Sequence, residues 1–517
     1  MSKLSRLAIL LAALVAAVRP ASAQKSCRAT VVALSDPSAR AQIAAIAEHA
    51  ISVADVMGEG SVCGHGDSLS GHGWRSHVGE VQPILRLQYD RGVPDGRQNG
   101  GAWAGLGFNG FVRAGVTFDA RWLHAVVAPQ AWYAQNERFA FYPGADASRS
   151  GFASMWYTSP YSLDLPTRWG ARGVQHVDLG QSAIWAAIKG VDIGLSNASV
   201  SWGPGVRGHL LLGPDAPGIP RAFLRTNRPI DTPFGSWSGS VFLGTLTESP
   251  FFDTVASNDL RTLTAWHLAW QPSNTSHTVI GVEHLGMRMG SPFGTTLQRP
   301  TGPTDQLNAI YARASAPVTG LRAYVEIGRA GALPSLRQFL EIPYQGITYL
   351  FGAQQAIRTA PGTLLLTGEI ADLEQPTDIR GQRTQDFYTS NDIPQGWTQR
   401  GQLLGDGIGP GGQSQWLSLD WVTATRSAGV FAERVRWNED AFLRQYIPFL
   451  LRHDVTLRVG VRGEMGVMGR RMNIEISSGR RLNYLFQNGT GIPGLNTTDV
   501  AVTEVKVSIT PFRSRRP

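Results

Sequence analysis

From about residue 79 onward the chain alternates apolar and polar positions with a period of two. "VTLRVGVRGEMGV" is the cleanest case. Val455, Leu457, Val459, Val461, Met465 and Val467 alternate there with Thr456, Arg458, Arg462 and Glu464. In "AWAGLGFNGFVRAGVTFDARW" the even positions are Ala104, Leu106, Phe108, Val112, Ala114, Val116 and Phe118, while the odd ones include Asn109, Arg113, Thr117 and Asp119. "LRAYVEIGR" (321–329), "GTLLLTGEI" (362–370) and "GVFAERVRW" (429–437) continue the pattern. Near the end come "RMNIEIS", a turn at "SGR", "RLNYLF" and "DVAVTEVKVSITPF". Segments of about ten residues with one apolar face, separated by turns, predict an antiparallel transmembrane β-barrel. Lipid offers no partner to a backbone amide, so strands cross it only as a closed sheet. The outer face is then apolar and the inner face wet, which accounts for Arg458, Arg462, Glu464 and Glu326 within apolar strands. A soluble sandwich or propeller competes, but 79–517 shows neither a fixed repeat nor a helical domain. Aromatic residues also stand near strand ends, as in "HLAWQP" and "RVRWNED", where girdles at the two membrane interfaces would put them. At about 24 residues per strand and connection, this length predicts 16–20 strands.

The N-terminal part breaks the alternation. "MSKLSRLAILLAALVAAVRPASAQ" has a basic start at Lys3 and Arg6, a short apolar run from Leu7 to Val18 and small residues at Ala21-Ser22-Ala23. These are the parts of a secretory signal, so residues 1–23 are expected to be removed and the mature chain to begin at Gln24. Within 24–78, Asp36 is an expected N-cap and Pro37 the first helical residue. Ile43, Ile46, Ala47, Ala50, Ile51 and Ala54 follow at helical spacing until "GEG". The expected organisation is a signal peptide (1–23), a small periplasmic helical segment (24–78) and an outer-membrane barrel (79–517). No other run is long and apolar enough for a transmembrane helix.

Composition changes this picture little. Charged residues make up 17% of the chain, below the ordinary 25% or so, and Gly reaches 59 of 517. The net charge is +8, and four lysines (Lys3, Lys25, Lys189, Lys506) leave arginine as nearly all of the basic side. Guanidinium forks suit carboxylate or phosphate groups on a ligand, and codon bias toward arginine explains the same count. Export argues against nucleic acid as a partner. The cysteines, Cys27 and Cys63, are expected to pair in an oxidising compartment. The spacing of "CGHGDSLSGHGWRSH" matches no zinc pattern, so no metal is expected.

The chemistry-bearing candidates are few. "SWGPGVRGHLLLGPDAPGIPRAFLR" (201–225) and "LGDGIGPGGQ" (404–413) are glycine-rich, but neither carries the lysine of a phosphate-binding loop. There is no G-x-S-x-G elbow and no H-E-x-x-H helix, and no cofactor motif. The first stretch reads either as a bend where the strand "VDIGLSNASVSW" leaves the wall, or as a sugar-binding surface of Trp202, Arg207 and His209. Trp397, Gln399 and Arg400 in "GWTQRG" form a second candidate group. Arg434 and Arg436, alternating on one strand face, form a third, with an inward ion-pair network with Glu433 neighbours or loop carboxylates as the competing reading.

Three stretches carry a family resemblance. "LGQSAIWAAIKGVDIGLSNASVSWGPGVRGHLLLGPDAPGIPRAFLR" (179–225), "PQGWTQRGQLLGDGIGPGG" (394–412) and "FAERVRWNEDAF" (431–442) resemble segments of the Wzi-type capsule assembly proteins. The family's Asn-Ala after the Leu run reads Pro214-Asp215-Ala216 here, and Ser201 replaces a second aromatic. The resemblance implies a monomeric 18-stranded outer-membrane barrel with a small periplasmic helical element. It also implies a non-enzymatic, lectin-like role in holding or organising capsular or other surface polysaccharide. A diffusion channel is the alternative, and an envelope hydrolase a more distant one.

Overall fold

Along the strand His77–Arg91, Leu85, Leu87 and Tyr89 are exposed while Arg86, Gln88 and Asp90 are buried. Successive side chains point to opposite faces of a strand, so this strand has an apolar outer side and a polar inner one. Val455–Val467 repeats the arrangement, with Leu457, Val459 and Val461 outside and Thr456 and Glu464 inside. The computed structural model describes residues 77–511 except 142–148, 158, 274–276, 294–300, 361, 377–384, 424, 446–452, 468–469 and 485–498, together with two short strands, Ala29–Val31 and Ser61–Cys63.

The wall is a closed barrel of eighteen antiparallel strands. Three of them are broken into two pieces, such as Leu123–Val127 and Gln130–Ala134. The last strand, Asp499–Pro511, pairs with the first, placing Thr503 opposite Arg91 and Ile509 opposite Leu85. Closure leaves no sheet edge, as a lipid environment demands. Connections are unequal. Those at one end are short turns, such as 121–122, 189–190 and 233–234, whereas those at the other end include 135–173, 197–220 and 373–412. In outer-membrane barrels the long connections face outward from the cell and the short turns face the periplasm.

Two aromatic groups mark the interfaces. At the short-turn end Trp122 and Phe234 are exposed, Trp237 stacks on Trp270 at 5.7 Å, and the Trp270 indole donates to the Phe234 carbonyl at 2.7 Å. Toward the other end lie Tyr89 against Phe108 (4.9 Å) and Tyr349 against Phe351 (5.3 Å). Trp437, expected in a girdle, instead points into the lumen, where it packs between the guanidinium groups of Arg97 and Arg481.

Two local expectations fail for packing reasons. "SGR" (478–480) is no turn: the strand Arg470–Leu482 runs straight through it. Gly479 is there because a Cβ would meet the Leu457 carbonyl at 1.9 Å on the neighbouring strand. The alternation at 102–106 also precedes its strand, which starts at Gly107; Ala102, Trp103 and Ala104 lie buried in the connection before it. The signal sequence, the helix expected from Pro37 and Cys27 of the expected disulfide lie outside the described residues. The pairing of Ala29 with Cys63 does bring the chain just after Cys27 beside Cys63.

Candidate functional site

The strand Val191–Ser196 leaves the wall at Asn197, and the chain then turns into the lumen. The Trp202 amide donates to the Leu212 carbonyl at 3.0 Å, and the Gly213 amide to the Leu404 carbonyl at 2.7 Å. The Leu404 amide donates in turn to Trp397 (3.1 Å). The Tyr388 hydroxyl donates to the Leu210 carbonyl at 2.6 Å and accepts the Asp406 amide at 2.7 Å. Segments 202–213 and 387–408 therefore form one body, a plug. Its core of Trp202, Leu210, Leu211, Leu212, Trp397, Leu404 and Ile408 packs against Leu246, Leu263, Leu285, Leu307 and Leu350 of the wall. Burying such side chains contributes about 1.5–3 kcal/mol each.

Carboxylates on the inner wall tie the plug down. Glu369 accepts the successive amides of Val206 (2.7 Å), Arg207 (3.0 Å) and Gly208 (2.6 Å), plus the Tyr324 hydroxyl at 2.5 Å. Three consecutive N–H groups around one anion make a backbone nest. The Gly-Pro-Gly turn exists to form it: Gly203 has φ +85°, and a Cβ on Gly205 would meet the Gly208 carbonyl at 1.9 Å. Glu326 accepts the Leu210 amide at 3.2 Å. Glu433 gathers three arginines: Arg97 binds it through both ends of its fork (3.2 and 3.1 Å), Arg458 at 2.6 Å and Arg207 at 3.3 Å. Arg207 also lies 4.3 Å over the Trp416 ring. Asp215, on the same connection as 202–213, holds the amides of Gln98 (2.7 Å) and Gly407 (3.0 Å), joining the 92–106 connection to the plug.

The sequence candidates are thus distributed over three places. Trp202 is buried, with His267 stacked on it at 5.5 Å and Phe242 at 5.6 Å, and Trp397 is buried completely. Neither indole presents a free face in this structure. His209 is buried as well, its Nδ1 without a hydrogen bond among the described residues, and burial pushes its imidazole down to about 4. Gln399 accepts the Thr247 amide at 2.7 Å. Arg400 differs. Its guanidinium lies 3.0 Å from His176 Nε2 and 3.7 Å from Asp178, and the His176 ring lies 5.7 Å from that of Trp132. Roughly a third of both the Arg400 and His176 side chains is open (32% and 38%).

Arg434 and Arg436 stand elsewhere. In Ser427–Arg436 the buried positions are Phe431, Glu433 and Val435, so the two arginines point outward, away from the lumen. Parity corrects the inward direction and the Glu433 partner of the competing reading, because Glu433 pairs with Arg97, Arg207 and Arg458; its loop-carboxylate part holds for Arg436. Arg434 donates to Gln413 (3.1 Å) and Gln415 (2.8 Å), and Arg436 pairs with Glu374. No cluster of three metal-ligating side chains occurs among the described residues. Sequence reasoning missed Glu369, Asp215 and Arg97; a charged residue on the inward parity of an apolar strand was the available signal for Glu369.

No protein-family model matches the chain, and no curated protein matches it in sequence. Solved structures do match it in fold. Wzi, an outer membrane protein involved in group 1 capsule assembly in Escherichia coli and described as a carbohydrate binding β-barrel, aligns with a TM-score of 0.56. The identity is 13%, over 83% of this chain and 84% of that one. Acinetobacter baumannii OccAB1 aligns at 7% identity over 86% of this chain and 98% of its own, with a TM-score of 0.41. A Rh. blastica porin variant aligns at 10% identity over 84% and 100%, with a TM-score of 0.33. The fold is that of an outer-membrane β-barrel, and its likeness to Wzi is one of architecture.

Proposed function

We propose that this chain is an outer-membrane barrel that binds capsular or other surface polysaccharide at its extracellular end and catalyses no reaction. The observation that carries this reading is the plug. A lumen filled by an apolar core and held by wall carboxylates suits a protein that holds a polymer at its outer mouth better than one that passes solutes. The architectural likeness to a barrel described as carbohydrate binding supports it. We assign the contact to Arg400, His176 and Asp178, where the 387–408 segment meets the strand Val174–Asp178 below the 135–173 connection, with the buried Trp132 behind His176. The part-open guanidinium and imidazole are planar groups that suit sugar hydroxyls, and the buried Trp132 backs the His176 ring. Trp202, Arg207, His209, Trp397 and Gln399 then shape the plug behind that contact.

The test is binding of detergent-folded protein to its own cell-surface polysaccharide, with unrelated polymers beside it. An Arg400→Ala/His176→Ala variant that retains the heat-sensitive gel mobility of a folded barrel should bind at least about tenfold more weakly, the effect of losing charged hydrogen bonds. For an anionic polymer, added salt should weaken wild-type binding as well. Failure of the wild type to bind any polymer overturns the function. Undiminished binding by the double variant overturns the assigned site.

A further inference from the structure

Three strands near the barrel seam end their outward apolar runs in arginine, always at the extracellular end. On Ser427–Arg436 the outward series runs Val430, Ala432, Arg434; on Arg470–Leu482 it runs Ile474, Ile476, Ser478, Arg480. On His77–Arg91 it runs Leu85, Leu87, Tyr89, Arg91. The register places them together. Arg434 lies opposite Leu457, which lies opposite Arg480; Ser478, one outward step from Arg480, lies opposite Thr503, which lies opposite Arg91. Directly opposed residues share a face, and strands are spaced about 4.8 Å apart, so Arg434 and Arg480 stand roughly 10 Å apart on the outer wall. Arg91 lies two strands beyond Arg480, in register with Ser478, one two-residue step nearer the short-turn end.

Charge balance distinguishes this trio from the lumen network and from the neighbouring Arg436. The lumen arginines Arg97, Arg207 and Arg458 all meet carboxylates, and Arg436, one step above Arg434, is paired with Glu374. Among the described residues Arg434 hydrogen-bonds only to the neutral Oε1 atoms of Gln413 and Gln415. Asp499, the nearest acid in register, accepts the Asn483 amide at 3.1 Å. No carboxylate lies within 4.0 Å of Arg91, Arg434 or Arg480 among the described residues. A cation at the upper edge of a lipid-facing apolar band meets its counter-charge in the headgroup layer. The guanidinium fork matches phosphate oxygens two at a time.

We propose that Arg91, Arg434 and Arg480 form a binding site on the outer wall for the phosphate groups of an anionic outer-leaflet lipid. Gln413 and Gln415 orient Arg434 without neutralising it, leaving its charge for the ligand. Arg434 accordingly serves the membrane and not the polysaccharide.

The experiment takes full-length protein from outer membranes in mild detergent and measures retained phosphorylated lipid by native mass spectrometry. The triple variant Arg91→Gln/Arg434→Gln/Arg480→Gln should retain at most about a tenth of the wild-type amount, since each charged contact carries roughly a tenfold effect or more. Arg358→Gln/Arg426→Gln, exposed at the short-turn end, should retain it fully. Heat-sensitive gel mobility confirms that each barrel is folded. Equal retention in the triple variant, or no lipid on the wild type, overturns the site. Reconstitution with the same lipid stripped of phosphate should give no retention, and inorganic phosphate should compete only weakly. Tight binding of inorganic phosphate with no preference for lipid would overturn the lipid assignment and leave a free-anion site.

Discussion

His209 and Asp406 are buried in the same plug and shifted in opposite directions. Burial first, then the neighbouring Asp215 carboxylate, raises Asp406 to about 7, whereas burial alone lowers His209 to about 4. An unfolded Asp titrates near 3.9 and an unfolded His near 6.5. Between about pH 4 and 7 the folded chain holds a proton on Asp406 that the unfolded chain has lost, so stability falls as pH rises. His209 does the reverse: the unfolded chain holds the extra proton, and stability rises from about pH 4 to 6.5. Each effect is on the order of 3 kcal/mol across its window. Between about pH 4 and 6.5 the two oppose each other. Relative to wild type, Asp406→Asn should therefore have a midpoint of thermal unfolding that climbs between pH 4 and 6.5, and His209→Leu one that declines. Parallel curves for wild type and both variants would refute the assignment. None of this was legible in "RGHLLLG" or "LGDGIG", because glycine-rich surroundings read as exposed loop. The burial comes from residues roughly two hundred positions away, packed together by the barrel.

At the scale of elements, the period-two alternation was enough to locate most strands, since one wet face and one lipid face impose it on every crossing. Val455–Val467 coincides with the stretch read from the pattern, and Leu321–Ala330 nearly so. The alternation could not tell a turn glycine from one squeezed between strands, hence the misread Gly479. Nor could it show that the turn after Trp202 is an anion nest, because its anion, Glu369, belongs to a strand far along the chain. That nest makes a specific prediction. Gly205→Ala drives a methyl into the Gly208 carbonyl, and Glu369→Gln weakens the bonds from Val206, Arg207 and Gly208. Charged hydrogen bonds contribute about 1.5–3 kcal/mol each, so amide exchange across 203–213 should quicken at least about tenfold in either variant. Exchange in Val455–Val467 and Asp499–Pro511 should stay at the wild-type rate, read by hydrogen-exchange mass spectrometry. Uniform loosening of the whole barrel would mean that the nest is part of the wall's stability and not a local latch.

For the whole molecule, the same eighteen-stranded wall serves polymer binding and diffusion equally well, and the plug makes the difference. Its attachments are spread around the lumen: Glu326 and Glu369 hold the 203–210 turn, and Glu433 on another strand holds Arg97 and Arg207 from two separate connections. A plug fixed on several strands does not swing out as a hinged lid. Folded wild-type protein in a planar bilayer should therefore be electrically silent. Replacing 203–212 with a short Gly-Ser linker removes the nest, Arg207, and Leu210, Leu211 and Leu212 together, while the strands on either side keep their pairing. That variant should fold, show heat-sensitive gel mobility and conduct. Wild-type conductance comparable to the variant's would make the channel the better reading of this fold. Silence in both would place the closure in the 387–408 half of the plug, which the replacement leaves seated against the wall.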